Sequence, residues 1–125
     1  MDGREDAKTQ KREDAKEEVR VWVLGSGSRG NAVVVEGDGT RILIDCGFGP
    51  RALEKRLRFA GIPPESIEAC VITHEHYDHG RGAGRANKKW QWPLWASVGT
   101  VVNSRLSKLP VNTFKAGALL KFSGM

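Results

Sequence analysis

Long apolar runs are missing from this sequence. Nothing in its 125 residues approaches the roughly eighteen consecutive apolar side chains that a membrane-crossing helix needs, so no membrane partner is expected. A leader-like apolar segment is also missing at the start, where the first twenty residues hold seven acidic and six basic side chains. Cysteine is scarce. Cys46 and Cys70 sit inside apolar runs with no C-x-x-C spacing, which predicts buried, reduced thiols in a cytoplasmic protein rather than a disulfide framework. The length leaves room for one domain with a modest core.

What is present is charge, unevenly spread. The net charge is +5, but beyond residue 20 the chain carries fourteen basic against eight acidic residues. A basic body favours anionic partners such as nucleic acid or phosphorylated metabolites. The first eighteen residues contain "REDAK" twice, at Arg4 and Arg12. Asp2/Asp6, Arg4/Lys8, Lys8/Arg12, Arg12/Lys16, Glu13/Glu17 and Asp14/Glu18 are like-charged i,i+4 pairs, which oppose a helix, and no apolar face is available to dock. Residues 1–18 therefore read as a solvated, disordered tail.

From residue 19 the pattern becomes structural. "VRVWVLG" alternates and ends in glycine, as a strand does, and "NAVVVEGDGTRILIDCG" is two β-branched runs joined at Asp38-Gly39, a hairpin signal. "GPRALEKRLRFAGIP" is an amphipathic helix with Leu53, Leu57 and Ala60 on one side. Its cations Arg51, Lys55 and Arg58 read as a solvated face, with a phosphate-binding surface as the alternative. A buried strand "IEACVITH" follows, then a weaker helix over "GRGAGRANKKW", a strand near "PLWASVG", a short helix near "TVVNSRLSKL" and a strand starting at "ALLKF". This order predicts a mixed α/β layer. Trp90, Trp92 and Trp95 beside Lys88 and Lys89 read as packing at a helix-to-strand junction rather than as base-stacking platforms.

Residues 25–30, "GSGSRG", fit G-x-G-x-x-G, and Asp45 lies where a dinucleotide-binding unit would place its ribose acid. That fingerprint needs a helix to open at the third glycine, so that pyrophosphate meets the helix N-terminus. Three valines and a Gly-Asp-Gly turn follow instead, leaving no space for the helix. NAD binding is excluded on these grounds.

All three histidines lie in "HEHYDH", residues 74–79, directly after an apolar strand and before a helix. Side chains alternate in an extended segment, so His74 and His76 point the same way and can share one metal, while Glu75 points away. Asp78 and His79 come as the chain turns and can face a second ion beside the first. Two ions about 3.5–4 Å apart can hold a bridging hydroxide and clamp an in-line displacement. Imidazole with carboxylate suits Zn²⁺, with Mn²⁺ or Fe as other occupants. Asp78 is also the candidate catalytic carboxylate.

"THEHYDHGRGA" resembles the H-x-H-x-D-H signature of the metallo-β-lactamase superfamily, including the glycine three residues after the last histidine. "ILIDCG" resembles that family's strand-ending aspartate, which makes Asp45 a residue that orients the ligands from behind. "LGSGSRGNA" resembles the Gly-Ser-rich loop of a small single-domain bacterial branch with nuclease-like or phosphodiesterase character. On this resemblance the fold is α/β, the first half of an αβ/βα metallo-β-lactamase sandwich. His74, His76, Asp78 and His79 hold metal. Gly25, Ser26, Gly27, Ser28, Gly30 and Asn31 form a loop near it, a candidate anion cradle or simply a tight strand-to-strand turn. The implied activity is a metal-bound hydroxide attacking a phosphodiester, with a nucleic-acid substrate.

A complete family domain has a second half, which supplies the remaining metal ligands. No histidine follows His79, so residues 19–125 are expected to correspond to the N-terminal portion only. Such a chain alone should bind Zn²⁺ weakly and turn over little or nothing. It should also self-associate or require a missing C-terminal half. The alternative function is an inert fragment, or a partner-completed half that binds metal or nucleic acid without catalysis.

Overall fold

The computed structural model describes residues 18–73, 82–102, 111–115 and 117–122. Almost all of the charged tail expected over residues 1–18 lies outside the described residues. Three strands open the fold: β1 (Val19–Gly25), β2 (Ala32–Gly37) and β3 (Thr40–Ile44). Helix α1 (Pro50–Phe59), a 3₁₀ turn (Pro64–Ser66) and β4 (Ile67–Ile72) follow. Helix α2 (Ala83–Trp90), β5 (Leu94–Ser97), α3 (Val98–Val102) and β6 (Val111–Phe114) complete it. The six strands form one sheet in chain order, antiparallel from β1 to β3 and parallel from β3 to β6.

The β2–β3 hairpin turns at Asp38 and Gly39, both with positive φ (52° and 85°), which is what a tight two-residue hairpin requires. Proline starts α1, where its missing N–H is no loss. The helix stops with paired backbone bonds, from the Gly61 N–H to the Arg58 carbonyl (2.9 Å) and from the Ile62 N–H to the Leu57 carbonyl (2.8 Å). No dinucleotide-type helix follows Gly30. Strand β2 begins at Ala32 instead.

One row of apolar side chains crosses the whole sheet in register: Trp22, Val34, Leu43, Cys70, Leu94 and Val111. The inner members of this row, with Leu53, Leu57 and Ile62 from the α1 region and Ala83 and Ala86 of α2, are buried as one core. Fully burying a side chain such as Leu57 contributes about 1.5–3 kcal/mol. The opposite face is also apolar, with Val21, Val35, Ile42 and Ala69 in one row and Val23, Val33, Ile44, Val71 and Trp95 in the next.

The C-terminal part differs from the sequence expectation. The last strand is "VNTF" rather than "ALLKF", and residues 118–122 join no strand. Of the helix expected near "TVVNSRLSKL", the described part is Val98–Val102, and residues 103–110 lie outside the described residues. The apolar run misled because its Phe122 packs edge-on against Trp95, at 5.9 Å, instead of pairing with a strand. Polar Asn112 is held in β6 by donating to the Leu94 carbonyl (3.2 Å), a pairing that hydropathy does not show.

Candidate metal centre

Asp45, directly after strand β3, takes φ +68° and is buried. Few side chains adopt that conformation, and aspartate is among the more tolerant. The Asp45 N–H donates to the Val71 carbonyl (2.7 Å), fastening it to the end of β4. Its carboxylate accepts the Thr73 N–H (2.8 Å), and the Thr73 hydroxyl lies 2.9 Å from both carboxylate oxygens. The next two residues continue the junction. The Cys46 carbonyl accepts the Gly82 N–H (2.9 Å), and the Gly47 N–H donates to the Asn31 carbonyl (3.0 Å).

Three consecutive residues thus tie together three loops at the C-terminal edge of the parallel strands. Thr73 and Gly82 flank the motif "HEHYDH". His74, His76, Asp78 and His79 themselves lie outside the described residues. Both anchors of that segment rest on the dipeptide Asp45–Cys46. Among the described residues no group of three His, Cys, Asp or Glu side chains could hold a metal. Three imidazoles and a carboxylate are a donor set that Zn²⁺ accepts.

Gly82 has a steric reason for being glycine. A Cβ there would overlap the Phe48 carbonyl oxygen, a backbone atom with no room to move. Its φ of −95° is ordinary, so close approach, not conformation, excludes a side chain. Phe48 is the hub of the loop packing. Its ring lies beneath Gly25 and Gly30, with the Arg56 guanidinium 4.2 Å above it. Arg56 then donates to the Leu24 carbonyl (2.6 Å), locking α1 to the end of β1.

The Gly-Ser loop is largely self-contained. The Asn31 side chain accepts from the Gly27 N–H (3.2 Å) and donates to the Gly27 carbonyl (2.9 Å), and the Gly30 N–H reaches the same carbonyl (3.3 Å). The amides of Gly27 and Gly30 are therefore engaged within the loop, while Ser26 and Ser28 are exposed. Gly25 and Gly30 serve the Phe48 ring.

Both cysteines are buried and unpaired by disulfide. A hydrogen bond with the Cys46 thiol, reinforced by burial, pushes the Cys70 thiol well above the ordinary cysteine range. Such a thiol is inert and structural. The tryptophans also pack. Trp90 stacks on Trp92 at 4.8 Å, and the Trp92 indole N–H donates to the Pro64 carbonyl (3.0 Å). Sequence reasoning missed Thr73 and Phe48 as parts of this centre. Thr73 carried one signal, its place immediately before the first histidine.

Residues 25–113 match the Metallo-beta-lactamase superfamily. The chain is 35% identical over 78 residues to exodeoxyribonuclease YycJ of Bacillus anthracis, covering 62% of this chain and 30% of that protein. It is likewise 35% identical over 78 residues to exodeoxyribonuclease WalJ of Streptococcus pneumoniae, covering 62% and 29%. The fold superposes on MEM-A1, a subclass B3 metallo-beta-lactamase from a soil metagenome library. The TM-score is 0.62 and the identity 27%, over 82% of this chain and 46% of that one. The chain thus spans about 30% of the length of the curated relatives it matches. The mixed α/β sheet agrees with this structural likeness, and the chain belongs to the metallo-beta-lactamase superfamily of metallo-hydrolases.

Proposed function

We propose that this chain contributes the first metal-ligand motif of a Zn²⁺-dependent phosphodiesterase that acts on nucleic acid in the cytoplasm. The observation that carries the reading is the double anchoring of the segment "HEHYDH" on Asp45 and Cys46. His74 and His76 would hold one ion, and Asp78 with His79 a second. The chemistry supplied there by a divalent pair is water activation and neutralisation of phosphate charge. The chain's own residues do the positioning. Asp45 holds Thr73, the residue immediately before His74, and Gly82, three residues after His79, is held by the Cys46 carbonyl and packed against Phe48. The basic body and the exodeoxyribonuclease relatives support a phosphodiester over a carbonyl substrate.

The test is hydrolysis of single- and double-stranded DNA, a β-lactam and a thioester, each with Zn²⁺ and with a chelator. With the second half of the family domain supplied, metal-dependent DNA cleavage that His76→Ala and Asp78→Asn abolish is the expected result. Cleavage of the β-lactam or thioester with DNA untouched overturns it. A second reading, metal or nucleic-acid binding without turnover, is favoured by the short span relative to the relatives. Zn²⁺ binding that depends on His76 but is accompanied by no hydrolysis of any of these substrates would establish it.

A further inference from the structure

The exposed side of α1 carries Arg51, Lys55 and Phe59 in a single i,i+4 row, about 6 Å per step, opposite the buried Leu53 and Leu57. Phe59 is 95% exposed, an unusual position for a phenyl ring. The helix's other two cations are engaged: Arg58 with Glu54 (3.0 Å) and Arg56 with the Leu24 carbonyl and the Phe48 ring. Arg51 and Lys55 make no ion pair among the described residues. The row borders a groove of about 860 Å³ between α1 and β1, lined on the helix side of the strand by Trp22 and Leu24 and along the helix by Ala52, Lys55, Arg56 and Phe59.

The row also has a direction. Helix α1 starts at Pro50, just after the Asp45–Gly47 junction, and runs away from it. Arg51 is therefore nearest the candidate metal centre, Lys55 one turn out and Phe59 two turns out. Arg85, whose guanidinium sits against Gly49, extends the positive charge toward the junction.

We infer that the Arg51–Lys55–Phe59 row and its groove form a docking track for single-stranded nucleic acid, which rests on the phosphodiester reading of the adjoining site. Phosphates sit on Arg51 and Lys55, and an unstacked base lies on Phe59. The half-buried Trp22 side chain, on the α1 side of β1, receives sugar and base edges. A single strand fits better than a duplex, because only an unpaired base offers its π-face to an aromatic ring. A membrane surface would require a broad apolar helix face. On α1 that face is buried in the core.

The track is tested with a fluorescently labelled oligothymidine of about twelve nucleotides, a length within the range such surfaces cover. Anisotropy is read on the full chain in chelator across a salt series. Phe59→Ala should weaken binding about tenfold, and Phe59→Trp should restore it. Lys55→Ala and Arg51→Ala should each lower the slope of log affinity against log salt by about 0.7. Phe59 is too exposed for its loss to unfold the chain, and circular dichroism verifies this.

Several results overturn the track: no binding by the parent chain, Phe59→Ala within about twofold of it, or Arg58→Ala lowering affinity as much as Lys55→Ala. Phe59-dependent capture of anionic vesicles with no oligonucleotide binding also overturns it. Because binding is read without metal, Phe59-dependent binding with no DNA hydrolysis in Zn²⁺ once the second half of the family domain is supplied refutes the phosphodiesterase reading alone. Hydrolysis that is indifferent to Phe59, Arg51 and Lys55 refutes the track alone.

Discussion

Asp45 combines a strained backbone with a carboxylate that satisfies two groups of Thr73. Asp45→Ala removes the acceptor of the Thr73 N–H, a partly buried hydrogen bond, so urea denaturation should show a loss of about 0.5–1.5 kcal/mol. Asp45→Asn tolerates the same φ and keeps one acceptor, so it should recover most of that stability. The negative charge beside the proposed metal centre would still be gone. Zn²⁺ affinity, read by competition with a chromogenic chelator, should stay about 10–100-fold lower in both variants. Equal Zn²⁺ affinity in parent and Asn variant would remove Asp45 from the metal centre. Cys70 gives a pH signature. Its folded pKa is raised by the Cys46 thiol and by burial, so the fold prefers the neutral thiol. That preference is fully present below the unfolded cysteine pKa of about 8.5 and is lost as pH climbs from there toward the folded value. The melting temperature should hold to about pH 8 and then decline, and Cys70→Ala should flatten the decline.

At the scale of elements, α1 and the β2–β3 hairpin were legible because each carries its own signals. Leu53 and Leu57 repeat at helical spacing, proline opens the helix and glycine follows it, and Asp-Gly sets the turn. The start of α2 was legible only as a motif letter. Nothing local explains Gly82, since its reason is the carbonyl of Phe48, thirty-four residues earlier. Gly82→Ala should therefore cost about 1–3 kcal/mol from overpacking and loosen the exit of the histidine segment, lowering Zn²⁺ affinity as well. Gly99→Ala is the control. A Cβ there meets nothing within 4 Å, and alanine favours the short helix, so stability should hold or rise. Leu57→Ala removes a fully buried side chain between α1 and the sheet and should cost about 2–5 kcal/mol by the same denaturation assay.

At the scale of the whole molecule, the order of elements from β1 to β5 could be read from the sequence, because apolar periodicity is written along the chain. The burial of the two sheet faces could not, because a Val at period two looks the same whether covered or bare. Ile42 and Ala69 are 2% and 1% exposed at the middle of the second face, whereas Val21 and Val23 of edge strand β1 are 56% and 63% exposed. An edge strand with bare valines invites pairing with another edge. Antiparallel self-pairing of β1 centred on Trp22 would set Val21 opposite Val23 of a second copy and Arg20 opposite Leu24, so no like charges would meet. The chain should therefore self-associate in a concentration-dependent way in sedimentation velocity. Association should strengthen with salt, because the net charge of +5 opposes it. Val21→Lys or Val23→Lys places a cation in that contact and should return the chain to monomer with its far-ultraviolet spectrum unchanged. A parent chain that stays monomeric across the concentration series, or a lysine variant that associates as before, would remove β1 as the contact.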